Sequence, residues 1–196
     1  MAFYLLDLET TGLGLEGRAK DYVLELGVAV YDDELEFQDS HSWFVGDYPT
    51  YRRFLQVDEE LSVVHDMHRK SGLYEEWMSA YQLSTLWPAH KAGLKAVDWF
   101  KKRGLAPGEE PMVGSSINFD RERFLKYEMP ELNDLFHYRV IDASSQRAFK
   151  QKRHPRFAAE AAKIAADAQR NSHRVLDDIH DSVNLLRVLD GLEPRY

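Results

Sequence analysis

Four acids and one histidine, spread over most of the chain, carry the residue types that could do chemistry together. Asp7 and Glu9 lie in "FYLLDLETTG", Phe3 to Gly12, at the end of an otherwise apolar run. Side chains two apart on a strand share a face, so the two carboxylates project together. Two buried carboxylates repel and are costly to strip of water, which makes a dication their natural partner. Hard oxygen ligands suit Mg²⁺ or Mn²⁺ rather than zinc. Taken alone, the pair fits equally well a strand end that emerges into solvent. A third acid, Asp120, starts an amphipathic stretch in "VGSSINFDRERF". On its own it reads as a helix N-terminal acid, favourable against the helix dipole. "SHRVLDDIHDSV" supplies His173 and, five residues on, Asp178, with Asp177 and Asp181 as rival acids. A lone histidine followed by acids is ordinarily a solvated helix start.

The elements that must position these groups can be read from patterning. Residues 2–9 form an apolar strand with few polar breaks on either face, as a central, doubly covered strand would. "YVLELGVAVYD" at 22–32 and "LEFQDSHSWFV" at 35–45 read as two more strands, and the short links predict an antiparallel meander. Residues 58–80 carry short helical patterns broken near Ser71 and Gly72. Residues 85–103 predict a helix with Ser84 as N-cap, Pro88 in its first turn, and Leu86, Leu94, Val97 and Phe100 facing inward. A short strand at 112–116, a helix at 120–129, a strand at 137–144 and helices at 156–170 and 175–190 complete the chain. The last helix bears a stripe of Val175, Ile179, Val183, Leu186 and Leu189. This order predicts an α/β fold: a mixed central sheet of about five strands with helices on both faces.

Composition narrows the class. With 196 residues, 44% of them hydrophobic, the chain suits one domain with a substantial core. The absence of cysteine excludes a disulfide framework and a thiolate metal site. No stretch predicts a secretion signal or a bilayer span, so a cytoplasmic protein with no membrane partner is expected. A net charge of −8 argues against a long phosphate-gripping track. A polyanionic substrate remains compatible if metal ions carry the positive charge.

Taken together, the Asp-x-Glu of the first strand, the Asp120 helix and the His-x-x-x-x-Asp of the last helix resemble the His-containing branch of the DEDD exonuclease superfamily. "VGSSINFDRERFLKYEMPEL", "FHYRVIDASS" and "HRVLDDIHDSV" are similar, within it, to the oligoribonuclease family. The resemblance implies a single ribonuclease H-like exonuclease domain over 1–196. It implies hydrolysis of very short oligonucleotides from the 3′ end to mononucleotides. Two divalent cations, Mg²⁺ or Mn²⁺, would be held by Asp7, Glu9, Asp120 and Asp178, with His173 as general base. It further implies that Leu13 packs on a base and that Ser116 and His68 line a 5′ phosphate. Tyr138, Arg139 and Ser144 would come from the second subunit of a homodimer. Without the resemblance, Arg139 reads as an exposed strand charge and Tyr138 as a half-buried strand aromatic.

Some residues depart from the family pattern. Val63 stands where oligoribonucleases typically place a base-stacking tryptophan, and Thr10 where they usually have Met; "DLETTG" is common in DNA-proofreading relatives. A DNA-directed 3′–5′ exonuclease is therefore the nearest alternative to one acting on RNA. A non-catalytic nucleotide-binding module is the alternative of another class, opposed by the presence of a general base. His65 and His68 lack a third soft ligand nearby, which favours the phosphate role for His68 over a metal pair. Lys150, Lys152, Arg153, His154 and Arg156 form a short basic patch.

Overall fold

The alternation within the first strand sorts its side chains onto two faces that are covered by different helices. The computed structural model describes residues 2–12, 21–59, 63–167 and 172–195. β1 (Ala2–Thr10) pairs antiparallel with β2 (Val23–Asp32), Leu6 opposite Val28 and Glu9 opposite Glu25. β2 pairs antiparallel with β3 (Phe37–Phe44), giving the expected meander. A helical crossover follows through α1 (Tyr48–Glu59), α2 (Val63–Lys70), α3 (Leu73–Gln82) and α4 (Ala89–Lys101). β4 (Pro111–Gly114) then enters beside β1, parallel to it. α5 (Ile117–Asp120) runs through a π turn (Arg121–Leu125) into α6 (Lys126–Glu128), followed by α7 (Pro130–Leu135). β5 (His137–Asp142) lies parallel to β4, and α8 (Ala143–Arg153), α9 (Pro155–Asp167) and α10 (Val175–Leu189) close the described chain. The sheet order β3-β2-β1-β4-β5 makes β1 central, and the fold is the expected mixed α/β sheet with helices on both faces.

Tyr4, Leu6 and Leu8 join β2, α4 and the π turn in one buried cluster with Leu26, Val28, Phe100 and Phe124. Leu5 joins the opposite cluster with Ala29, Ile179, Val183 and Leu186, beneath α10. A third cluster, Leu24, Phe54, Leu73 and Trp77, seats α1 and α3 beyond the meander. Two glycines set the spacing on which the site depends. A Cβ on Gly27 would lie 2.6 Å from Val175 Cβ, so only glycine lets the start of α10 press onto β2. A Cβ on Gly114 would lie 2.8 Å from the Leu6 carbonyl, so β4 needs glycine where it leaves β1.

Several predicted boundaries shift. Ser84 is not a helix cap: it sits in a left-handed turn, φ 57°, and residues 85–88 run extended, bridging Trp87 to Val45. Pro88, φ −54° and ψ 140°, holds the extended entry, and α4 begins only at Ala89. Its inward face is Ala92, Gly93, Ala96, Val97 and Phe100; Leu94 is exposed. The last strand stops at Asp142 because that carboxylate accepts the Ser145 N–H at 2.7 Å and caps α8. α1, unread in the sequence, starts at a reciprocal cap in which Asp47 Oδ1 accepts the Thr50 N–H at 3.0 Å and the Thr50 hydroxyl oxygen accepts the Asp47 N–H at 3.2 Å.

Candidate active site

β1 and β4 run in one direction, so their carboxyl ends share an edge of the sheet, where open α/β folds bind ligands. Asp7 and Glu9 come from the end of β1, and the turn after β4 supplies Ser116 and then Asp120 at the end of α5. On the same side, α10 presents Asp178 in its first turn, with His173 in the segment before it. The structure brings these residues together. Carboxylate oxygens of Asp7, Glu9 and Asp178 lie within 4.8 Å of one another. A cavity of about 370 Å³ is lined by all three, by Asp120 and His173, and by Ser116. An adjoining hollow of about 310 Å³ shares Asp7, His173 and Asp178 and adds Arg147.

Burial dominates the electrostatics. Removal from water, together with Asp178 and Glu25 nearby, pushes Glu9 up to about 9. Burial and then Asp142 push Asp120 up to about 8. Asp178 rises to about 6, mainly through burial, with His173 pulling the other way. Asp7 stands well above the ordinary carboxylate range because it is buried, and because Asp120, Glu9 and Asp178 surround it. Four carboxylates held this close have a standing electrostatic demand for positive charge. All their donors are oxygens, which fits a hard divalent cation.

The other expected residues are placed less uniformly. The Ser116 and Ser144 hydroxyls lie 3.3 Å apart within one chain, and Ser144 donates to Asp142 Oδ1 at 2.6 Å. Ser144 therefore lies beside Ser116 of its own chain. His68 is buried: its Nε2 lies 2.7 Å from the Thr10 carbonyl and its Nδ1 3.8 Å from Glu9 Oε2. Val64 and Met67 of the same helix line the cavity, whereas His68 packs behind Glu9. Tyr138 and Arg139 stand on the edge strand β5, Tyr138 at 73% exposure, away from the described lining. The predicted base contact, Leu13, and the side chain of Val63 lie outside the described residues. The rival Asp177 accepts the Ser172 hydroxyl at 2.5 Å. Lys150, Lys152 and Arg153 occupy the last turn of α8, where cations complement the helix dipole.

Sequence reasoning missed Glu25 and Arg174. Glu25 is 2% exposed and takes a two-pronged bond from Arg174, both contacts 3.0 Å. Its signal was present: an acid inside the apolar strand "VLELGVAV" has to find a partner. A larger cavity of about 700 Å³ lies between β2, β3 and α10. Its Arg187 is spent on the Glu34 and Leu35 carbonyls, and the acid cluster lies elsewhere.

The model of the Exonuclease family RNase_T matches residues 88–186. The oligoribonuclease of Streptomyces griseus is 33% identical over 93% of this chain and 81% of its own length. That of Yersinia enterocolitica is 31% identical over 91% and 87%. The chain belongs to the oligoribonuclease family. Like other members of the DEDD exonuclease superfamily, this oligoribonuclease-family protein is a 3′–5′ exonuclease. The solved structure of exonuclease I superposes with a TM-score of 0.60 at 12% identity, covering 99% of this chain and 42% of that one. That likeness establishes the shared ribonuclease H-like fold. Among the described residues, no helix is long and apolar enough to cross a membrane.

Proposed function

We propose that the protein is an exoribonuclease that hydrolyses dinucleotides and similarly short RNA to mononucleotides. In this reading Asp7, Glu9, Asp120 and Asp178 hold two divalent cations, Mg²⁺ or Mn²⁺. The observation that carries it is the meeting of Asp7, Glu9 and Asp178 oxygens within 4.8 Å, with Asp120 and His173 on the same cavity wall. When bound, such cations supply charge stabilisation and lower the pKa of water. His173 acts as general base, its imidazole taking the proton from the attacking water, and it stands exposed at the cavity. Ser116 lines the phosphate end with His68 behind Glu9, and Ser144 serves the phosphate end of a second subunit's site.

Short substrates suit the charge. A net charge of −8 opposes a long phosphate-gripping track, and a fragment crossing one or two phosphates needs none. Tyr138 and Arg139 on the open edge of β5 are available to a second copy, the homodimer reading. Sedimentation of the purified protein tests it: a dimer abolished by Tyr138→Ala supports an interface there, and a monomer at all concentrations removes it.

A DNA-directed enzyme is the second reading, favoured by Thr10 and Val63. Turnover of 5′-labelled RNA and DNA dinucleotides against a long single strand, under Mg²⁺ or Mn²⁺, separates the readings. Fastest turnover of the RNA dinucleotide is expected. Preference for the long strand removes the short-fragment assignment, and preference for the DNA dinucleotide transfers it to DNA. Binding of a dinucleotide by calorimetry without release of mononucleotide assigns a non-catalytic module.

A further inference from the structure

The turn that carries His173 is pinned on both sides. His173 has φ 51°, a left-handed conformation that a residue with a side chain keeps only where its surroundings impose it. Ahead of it, the Ser172 hydroxyl donates to Asp177 Oδ2 at 2.5 Å. Behind it, Arg174 spans two acids from distant parts of the chain. Its Nε and Nη2 donate to the two oxygens of Glu25, each at 3.0 Å, and its Nη1 lies 3.0 Å from Glu76 Oε2 on α3. Its carbonyl also accepts the Asp178 N–H at 2.9 Å, the first turn of α10.

The partner that matters most is Glu25. It stands directly opposite Glu9 in the β1–β2 register, with its side chain 3% exposed. An unmatched carboxylate there adds negative charge beside Asp7 and Glu9, and the planar guanidinium fork matches it with two charge-assisted bonds. Glu76 is half-exposed and adds a lateral tether from α3. The backbone of residue 174 is thus fixed to β2 and to α3, and residue 173 has little room to turn.

We propose that Arg174 is a positioning residue for the reaction: its grip on Glu25 and Glu76 holds the His173 imidazole over the acid cluster. Arg174 acts through His173 and not on substrate, and this role rests on the reading of His173 as general base.

The test compares wild type, Arg174→Gln, Arg174→Lys, His173→Ala and the His173→Ala/Arg174→Gln double variant on a 5′-labelled RNA dinucleotide with Mg²⁺. Carbon–proton NMR of the His173 ring in the metal-free protein supplies a readout independent of activity. Arg174→Gln is expected to lower kcat by roughly a hundredfold, the scale of a misplacement of about 1 Å, with KM nearly unchanged. Arg174→Lys, which keeps the charge but not the fork, recovers a small part of the loss. Arg174→Gln adds no further loss in the His173→Ala background, and the His173 ring signal moves to that of an unconstrained histidine. Losses that multiply in the double variant, a raised KM at unchanged kcat, or an unmoved ring signal each overturn the proposal. Wild-type turnover by His173→Ala removes the general base reading, and the ring signal alone then decides whether Arg174 holds His173. If Arg174→Gln fails to fold, Glu76→Ala, which cuts only the half-exposed tether, carries the same comparison with a smaller loss.

Discussion

One face of β1 presents Tyr4, Leu6 and Leu8 to α4 and the π turn, where packing is apolar throughout. The other face presents Leu5 to α10 and then Asp7 and Glu9, in the same strand and with the same spacing. On the first face each side chain lowers the free energy of the fold by leaving water. On the second, the last two positions raise it, because carboxylates are held close together away from solvent. Two faces of one strand thus divide stability from function, and the acidic positions persist because the apolar face and α10 fix the backbone around them.

The largest effect separating the two faces is expected from Asp7→Asn. Turnover of the RNA dinucleotide falls at least about a thousandfold, since several kcal/mol of charge stabilisation depend on the acid set and about 1.4 kcal/mol is a factor of ten. The melting temperature of the metal-free protein rises, because one repelling charge is gone. A lowered melting temperature would show Asp7 to be a structural acid. His173→Ala comes next, with a loss of about 10² to 10⁴ in kcat and an unchanged denaturation midpoint. Turnover within a factor of a few of wild type removes it from proton transfer. Leu6→Ala probes the other face: it is expected to cost about 2–5 kcal/mol in chemical denaturation while kcat per folded molecule stays as in wild type. Loss of kcat without loss of stability would dissolve the division between the faces.

The mildest test is pH. Glu9 at about 9, Asp120 at about 8, Asp178 at about 6 and Asp7 well above its usual value all hold protons more tightly in the fold than in the unfolded chain, where carboxyls titrate near about 4. The folded state therefore binds more protons across this window, and stability falls as pH rises from about 4 to about 9. Thermal scans of metal-free protein should show that decline, and added Mg²⁺ or Mn²⁺ should offset it most at the alkaline end. A flat profile in this window would mean that the acids are not held together in solution.

Legibility differed along the chain for physical reasons. The meander and the final helix were readable because their patterns are local: alternation in β1 and β2, and a helical stripe through Val175, Ile179 and Val183. α4 was read with the wrong start because helical periodicity extends back through Leu86, whereas Pro88 and the bridge of Trp87 to Val45 hold that stretch extended. α8 was hidden because Asp142 serves at once as the last strand residue and as the cap of the next helix. The same cap sets Ser144 beside Ser116 of its own chain.

By itself the sequence determined which residues could do chemistry, since residue type and strand or helix periodicity are local properties: Asp7 with Glu9 on one face, Asp120 in a helical stretch, His173 before Asp178. Only the tertiary structure decided that they meet. Convergence depends on contacts between segments far apart in sequence, among them Val175 against Gly27, β4 leaving Leu6 at Gly114 and Arg174 gripping Glu25. The burial those contacts create, which shifts the four acids, belongs to no single segment and so has no local signature to read.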